Sequence, residues 1–140
     1  MRLLDLFCGA GGSAVGYHRA GFTEIVGVDN RPMPRYPFHF VLGDALDYVR
    51  EHGYEFDAIH ASPPCQAYSQ ISAVHGVTGR HPDLVDATRV ALATVSAPWV
   101  IENVVNSPVR KMLLLCGSAF GLGGACQDGV WRQLRRHRLV

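Results

Sequence analysis

Short apolar runs, each ended by glycine, proline or an acidic residue, set the rhythm of this chain. Residues 2–7 (RLLDLF) form the first run, and it stops at Cys8-Gly9-Ala10-Gly11-Gly12. An apolar run of this length bounded by turn residues predicts a buried strand. The same pattern predicts strands over residues 24–28 (ending at Asp29), 38–42, 56–61 and 99–101. Residues 112–116 predict a short sixth strand, and 138–140 the start of another. Between the runs the period changes. Residues 12–20 predict a helix closed by Gly21. Asp44 is placed as the N-cap of a second helix, with Asp47 in its first turn, Ala45, Leu46 and Val49 on one face and Gly53 at its end. Pro82 opens a third, with Leu84, Ala87, Ala91, Leu92 and Val95 on its apolar side and Pro98 beyond it. Residues 32–37 make a proline-rich connection and 117–129 a glycine-rich loop.

Strands alternating with helices predict an α/β fold, a mostly parallel sheet with helices on both faces. Such sheets bind ligands beyond the carboxyl ends of their strands. The chemically capable residues cluster at those ends: 8–12, Asp29, Asp44, 62–66 and Glu102.

Composition narrows the class. A chain of 140 residues suits one domain, and 48% hydrophobic with 18% charged residues predicts a globular chain. The net charge of +1 does not mark a nucleic-acid binder. Arg132, Arg135, Arg136, His137 and Arg138 nevertheless crowd the C-terminal end, as a phosphate contact or a solvated tail. No apolar run is long enough to span a membrane, and the N-terminus lacks a signal-peptide pattern. A cytoplasmic location with reduced thiols is predicted. The four cysteines form no Cys-x-x-Cys pair and the seven histidines are scattered, so no metal site is expected.

Three segments carry candidate chemistry. Gly9, Gly11 and Ala14 fit a G-x-G-x-x-A spacing after a strand, and Asp29 follows at the distance of an acid that accepts bonds from a ribose. The spacing suits any adenosine cofactor, nicotinamide dinucleotide and S-adenosylmethionine alike. Asp44 can meet an adenine amino group and cap its helix at once. In Ser62-Pro63-Pro64-Cys65-Gln66, two prolines fix the backbone that presents one thiol. Taken alone, that thiol is equally a nucleophile for a pyrimidine carbon 6 or a small buried hydrophobe. Cys8, Cys116 and Cys126 lack such a frame and are taken as structural. Glu102 ends a buried strand, where a carboxyl is either protonated at raised pKa or ion-paired with an arginine. Asn103 can bond a loop backbone and hold Glu102 in place.

Together the segments resemble the cytosine-5 DNA methyltransferases. Residues 5–12 (DLFCGAGG) look like the family's cofactor-binding motif, 62–66 (SPPCQ) its Pro-Cys motif, 102–104 (ENV) its Glu-Asn-Val motif, and Arg136-His137-Arg138 its Arg-x-Arg motif, in the family's order. The resemblance implies a Rossmann-like methyltransferase fold, S-adenosylmethionine as cofactor and DNA as partner. It implies that Phe7, Gly9, Gly11, Asp29, Asp44 and Pro64 hold the cofactor. Cys65 would attack carbon 6 of a flipped cytosine, Glu102 would bond ring nitrogen 3 and the exocyclic amine, and Arg138 with Arg136 would contact the base oxygen and a phosphate. Residues 66–80 would close over the base, with Gly76 and Gly79 allowing movement. The Gln that stands two places before the first arginine of the family's motif is here Leu134, with Gln133 displaced by one. Family members also continue into more sheet, a target-recognition region and a final helix. The resemblance therefore implies one catalytic domain over residues 1–140, incomplete at its C-terminus and without a target-recognition domain, in a prokaryotic or phage-like setting. A second chain is one source of the missing part. Two other functions stay open at this point: a non-catalytic module that binds the cofactor or a partner chain, and an RNA cytosine-5 methyltransferase.

Overall fold

The computed structural model describes residues 1–65, 83–104, 106–109, 113–115 and 130–132. Along the chain run β1 (Arg2–Leu6), α1 (Gly12–Arg19), β2 (Glu24–Asp29), β3 (His39–Leu42), α2 (Ala45–His52), a 3-10 turn (Gly53–Glu55), β4 (Ala58–Ala61), α3 (Val85–Leu92), β5 (Trp99–Asn103), β6 (Leu113–Leu115) and β7 (Val130–Arg132). The strands form one seven-stranded sheet ordered β3-β2-β1-β4-β5-β7-β6. β1 to β5 pair in parallel, and β7 runs antiparallel to both β5 and β6. The chain winds outward from β1 to β3, then returns to place β4 on the other side of β1. That reversal opens a crevice at the carboxyl ends of β1 and β4.

Strand alternation divides the core between two faces. Leu4, Leu6, Ile59, Ala61, Trp99 and Ile101 pack with Val49 of α2 and with Val85 and Leu92 of α3. Leu3 and Ile25 pack on the opposite face with Ala14 of α1, Cys8 and Tyr36. Each large apolar side chain buried this way contributes about 1.5–3 kcal/mol. Helices therefore cover both faces, as the alternation predicts. Among the described residues no helix is long and apolar enough to cross a membrane.

Several elements differ in their bounds from those the sequence predicts, each for a physical reason. Gly53 ends α2 as predicted, at φ −58°, and the chain continues into the 3-10 turn. A Cβ there would lie 2.6 Å from Val95 Cγ1, so the glycine is required by packing. The turn delays the fourth strand to Ala58. The third helix starts at Val85, where Asp83 Oδ1 accepts the Val85 N–H at 3.1 Å. Its buried stripe is Val85, Thr88, Ala91 and Leu92, with Leu84 and Ala87 only half-buried. β5 runs on through Glu102 and Asn103 because both pair with β7, opposite Arg132 and Trp131. A three-residue strand at 130–132 has too short a pattern to be seen in the sequence. The predicted strand at 138–140, the loop at 117–129 and Pro82 lie outside the described residues.

Candidate functional site at the strand ends

The loop after β1 turns sharply. Phe7 has φ +56°, the left-handed conformation in a non-glycine residue, followed by Gly9 at +49° and Gly11 at +87°. That conformation costs an L-residue about 1–2 kcal/mol, and it is held by bonds on both sides. The Ser62 N–H reaches back to Leu6 O at 3.2 Å, the Cys8 N–H donates to Val28 O at 3.2 Å, and the Gly11 N–H to Cys8 O at 3.0 Å. A Cβ on Gly11 would lie 2.6 Å from Pro37 Cδ, whereas one on Gly9 or Gly12 would meet no atom within 4 Å. The turn is thus packed from behind and open in front.

Asp29 ties this loop to its neighbours. Its Oδ2 accepts the Gly9 N–H at 3.1 Å and its Oδ1 the Arg31 N–H at 3.0 Å. Each oxygen keeps a further lone pair for a ligand hydroxyl. The Gly43 N–H donates to Asp29 O at 3.0 Å, which brings the end of β3 alongside. Asp44 caps α2 as expected: its Oδ1 accepts from Leu46 N at 2.8 Å and Asp47 N at 3.0 Å. Oδ2 takes no part in the cap.

The loop after β4 carries Cys65, a half-buried free thiol. Pro63 is buried, and its carbonyl accepts a buried hydrogen bond from Asn103 Nδ2 at 2.8 Å. The Asn103 side chain also accepts the Val104 N–H at 3.0 Å. The end of β5 is therefore fastened to the backbone two residues before the cysteine, as the sequence suggested for Asn103. Asn103→Ala leaves a buried carbonyl unpaired and is expected to lower unfolding free energy by about 1–3 kcal/mol in urea titrations. Cys8 differs in kind: burial first, then the charges of Asp5 and Asp29, push its thiol up to about 12. It stays protonated and packs as a hydrophobe, in accord with its structural reading.

Glu102 lies at the same edge, with 28% of its side chain exposed. A histidine is one partner of its carboxyl. His60 Nε2 lies 3.1 Å from Glu102 Oε2, and His60 Nδ1 lies 2.9 Å from Asp5 Oδ1. The Tyr36 hydroxyl donates to Asp5 Oδ2 at 3.1 Å. Burial alone would lower the His60 pKa, but hydrogen bonds to Asp5 and Glu102 and their charges outweigh it and raise it to about 9. A cavity of about 310 Å³ opens beside this group, lined by Ser13, Gly16, Tyr17, Ala20, His60 and Glu102.

Asp5, His60 and Tyr36 are the residues that motif reasoning passed over. The available signal was parity. Asp5 interrupts Leu-Leu-Asp-Leu and His60 interrupts Ala-Ile-His-Ala, and the two are register partners on β1 and β4. On β2 the partner of Asp5 is Gly27, where a Cβ would lie 2.2 Å from Tyr36 Cζ. Gly27 thus leaves room for the tyrosine to reach Asp5. Gly27→Ala is expected to destabilise the fold by about 1–3 kcal/mol, measured by chemical denaturation, because the ring must shift.

Residues 1–107 match the model of the C-5 cytosine-specific DNA methylase family. The chain belongs to this family. The match spans the glycine turn, the Pro-Cys loop and the Glu-Asn-Val segment. The Type II methyltransferase M.HgiDI of Herpetosiphon aurantiacus is 30% identical over 124 residues, which are 80% of this chain and 40% of that protein. M.HgiGI of the same organism is 29% identical over 124 residues, 80% of this chain and 97% of that protein. The chain thus spans less than half of one relative and nearly all of the other. In fold it is similar to the Entamoeba histolytica methyltransferase EhMeth, with a TM-score of 0.65, 16% identity, and coverage of 96% of this chain and 52% of that one. The Rossmann-like methyltransferase fold expected of a cytosine-5 methyltransferase is the one observed. Arg136, Arg138 and the segment 66–80 lie outside the described residues. Among the described residues no group of three His, Cys, Asp or Glu is placed to hold a metal ion.

Proposed function

We propose that this chain carries the cofactor-binding and catalytic core of an enzyme that transfers a methyl group from S-adenosylmethionine to carbon 5 of cytosine in DNA through a covalent adduct on Cys65. The observation that carries the reading is the Asn103–Pro63 hydrogen bond, which locks the Glu102 strand end to the Cys65 loop. Nucleophile and acid are then parts of one rigid edge.

The residues at the strand ends fit the cofactor. The open front of Gly9 and Gly12 leaves room for an adenosyl group. Asp29 has lone pairs for ribose hydroxyls, and the cap of α2 leaves Asp44 Oδ2 for an exocyclic amine. Phe7 and Pro64 would close the apolar sides of that space. When bound, the cofactor supplies an electrophilic methyl group. The Cys65 thiolate adds to carbon 6, which makes carbon 5 nucleophilic; once carbon 5 carries the methyl group, a base removes its proton and the Cys65 thiolate leaves carbon 6. Glu102 bonds ring nitrogen 3 and the amine as negative charge builds there. Arg138 and Arg136 contact the base oxygen and a phosphate. The cytosine must leave its duplex to reach this edge.

The test is to incubate the full chain with methyl-labelled S-adenosylmethionine and either duplex DNA or RNA. 5-Methylcytosine in the DNA supports the reading. Label in RNA alone would move the substrate class to RNA. Calorimetric binding of the cofactor with no transfer to either would favour a non-catalytic module. Asp29→Ala is expected to weaken cofactor affinity roughly 10–100-fold in the same calorimetry, for loss of charge-assisted bonds of about 1.5–3 kcal/mol.

A further inference from the structure

One row of polar groups crosses the α1 face of the sheet, where apolar residues would be expected. From β1 to β5 it runs Asp5, His60, Glu102, with Tyr36 closing the β1 end. His60 is 1% exposed and Asp5 1% exposed. A histidine so deep in a sheet needs both ring nitrogens satisfied. Here both nitrogens face carboxylate oxygens, Asp5 Oδ1 at 2.9 Å and Glu102 Oε2 at 3.1 Å. With both carboxyls ionised, a neutral ring would set a nitrogen lone pair against one of them. An imidazolium donates to both.

We propose that His60 is the positioning residue for Glu102, holding its carboxyl through Nε2–H and supplying the proton that Glu102 passes to the target base. The proposal rests on the reading of Glu102 as the group that meets the cytosine ring. Asp5 holds the imidazole from behind through Nδ1–H, and Tyr36 fixes Asp5 in turn. Among the described residues, the groups that face the ring include Asp5 from β1, Glu102 from β5, and the Tyr17 ring of α1 with its centroid 5.4 Å away. Tyr36, from the connection after β2, reaches the array through Asp5.

The proton count closes. Before reaction His60 is an imidazolium and Glu102 a carboxylate. As the thiolate bond to carbon 6 forms, electron density moves onto ring nitrogen 3. One proton passes from His60 Nε2 to Glu102 Oε2, and one from Glu102 to nitrogen 3. Glu102 ends as it began, a carboxylate. His60 ends neutral, with Nδ1–H still on Asp5. When the adduct collapses the proton returns along the same route. An exposed strand-end glutamate would take its proton from water, in no fixed direction. A buried donor removes that variability and orients the carboxyl before the base arrives.

The test reads His60 directly by NMR on the full chain labelled at its imidazole nitrogens, with His60→Gln identifying the signal. Both nitrogens of His60 are expected to be protonated at pH 7.5. The midpoint of the titration is expected near 9, consistent with the shift that Asp5 and Glu102 impose. In Glu102→Gln that midpoint is expected to fall by at least about one unit, since a charged partner is lost. A midpoint near 6.5 that Glu102→Gln leaves in place would overturn the proposal. The second readout is the pH profile of methyl transfer. His60→Gln keeps a donor toward Glu102 but cannot titrate, so it should lose the alkaline fall near pH 9 and retain more rate than His60→Ala. Identical profiles in the wild type and His60→Gln would overturn the proton supply. Absence of transfer by the wild-type chain would overturn the methyltransferase reading instead, while the NMR titration still decides the hydrogen-bond array.

Discussion

Replacing Cys65 with alanine is expected to lower methyl transfer by about 10⁴-fold or more, the scale on which enzymes lose a covalent nucleophile. Carbon 5 of cytosine is a poor nucleophile until a group adds at carbon 6, and no other described thiol can take that part. Cys8 is buried and its pKa is raised to about 12, so it offers negligible thiolate near neutral pH. The change should leave cofactor binding in place, because the glycine turn and Asp29 are held by Leu6, Cys8, Val28 and Arg31 rather than by Cys65. Transfer kinetics with labelled cofactor, run beside calorimetry, check both halves. Cofactor affinity retained with transfer lost is the expected pair. Transfer retained at a substantial fraction of the wild-type rate would remove Cys65 from the chemistry.

The second large effect is on stability. Asp5→Ala strips His60 of its Nδ1 partner and Tyr36 of its acceptor, both in the buried interior. Removing one member of a buried charged pair destabilises by about 3–5 kcal/mol, a large share of the roughly 5–15 kcal/mol that a domain possesses. The pH dependence gives a separate signature. The His60 pKa is raised in the fold from an ordinary 6.5 to about 9, so the folded state binds the proton more tightly than the unfolded chain. Its stabilisation is fully present below pH 6.5 and is lost as pH rises through about 9. Urea denaturation of the wild type should therefore show unfolding free energy falling over that window, by an amount on the order of 3 kcal/mol. In Asp5→Ala the same window should be much flatter. Equal slopes in the two proteins would show that Asp5 does not hold the imidazolium.

Much of this edge was legible in the sequence because turns and caps are local. Gly11, Asp44 and the strand ends at Asp29 and Ala61 follow from rules that involve a few neighbouring residues, and the structure places them accordingly. Asn103 was also foreseen as a tether, since an amide directly after a strand-end acid has few other uses in a buried loop. What escaped was set by pairing between distant strands. Asp5 and His60 are 55 positions apart and meet only because β4 returns beside β1. Glu102 meets His60 for the same reason. Gly53 ends its helix as predicted, but the contact that keeps it a glycine is equally non-local: a Cβ there would lie 2.6 Å from Val95, far along the chain. β7 is another case, a three-residue strand defined by its two partners rather than by its own pattern.

The central claim is that Cys65 bonds covalently to the target base. Its most direct measurement uses duplex DNA containing 5-fluorocytosine, where fluorine at carbon 5 blocks release of the enzyme after methyl transfer. The trapped complex is digested and its peptides are weighed by mass spectrometry. The account predicts a methylated fluorocytosine nucleotide on the peptide that contains Cys65, formed only when S-adenosylmethionine is present. An adduct on Cys8, Cys116 or Cys126, or methylated DNA with no trapped protein, would contradict it.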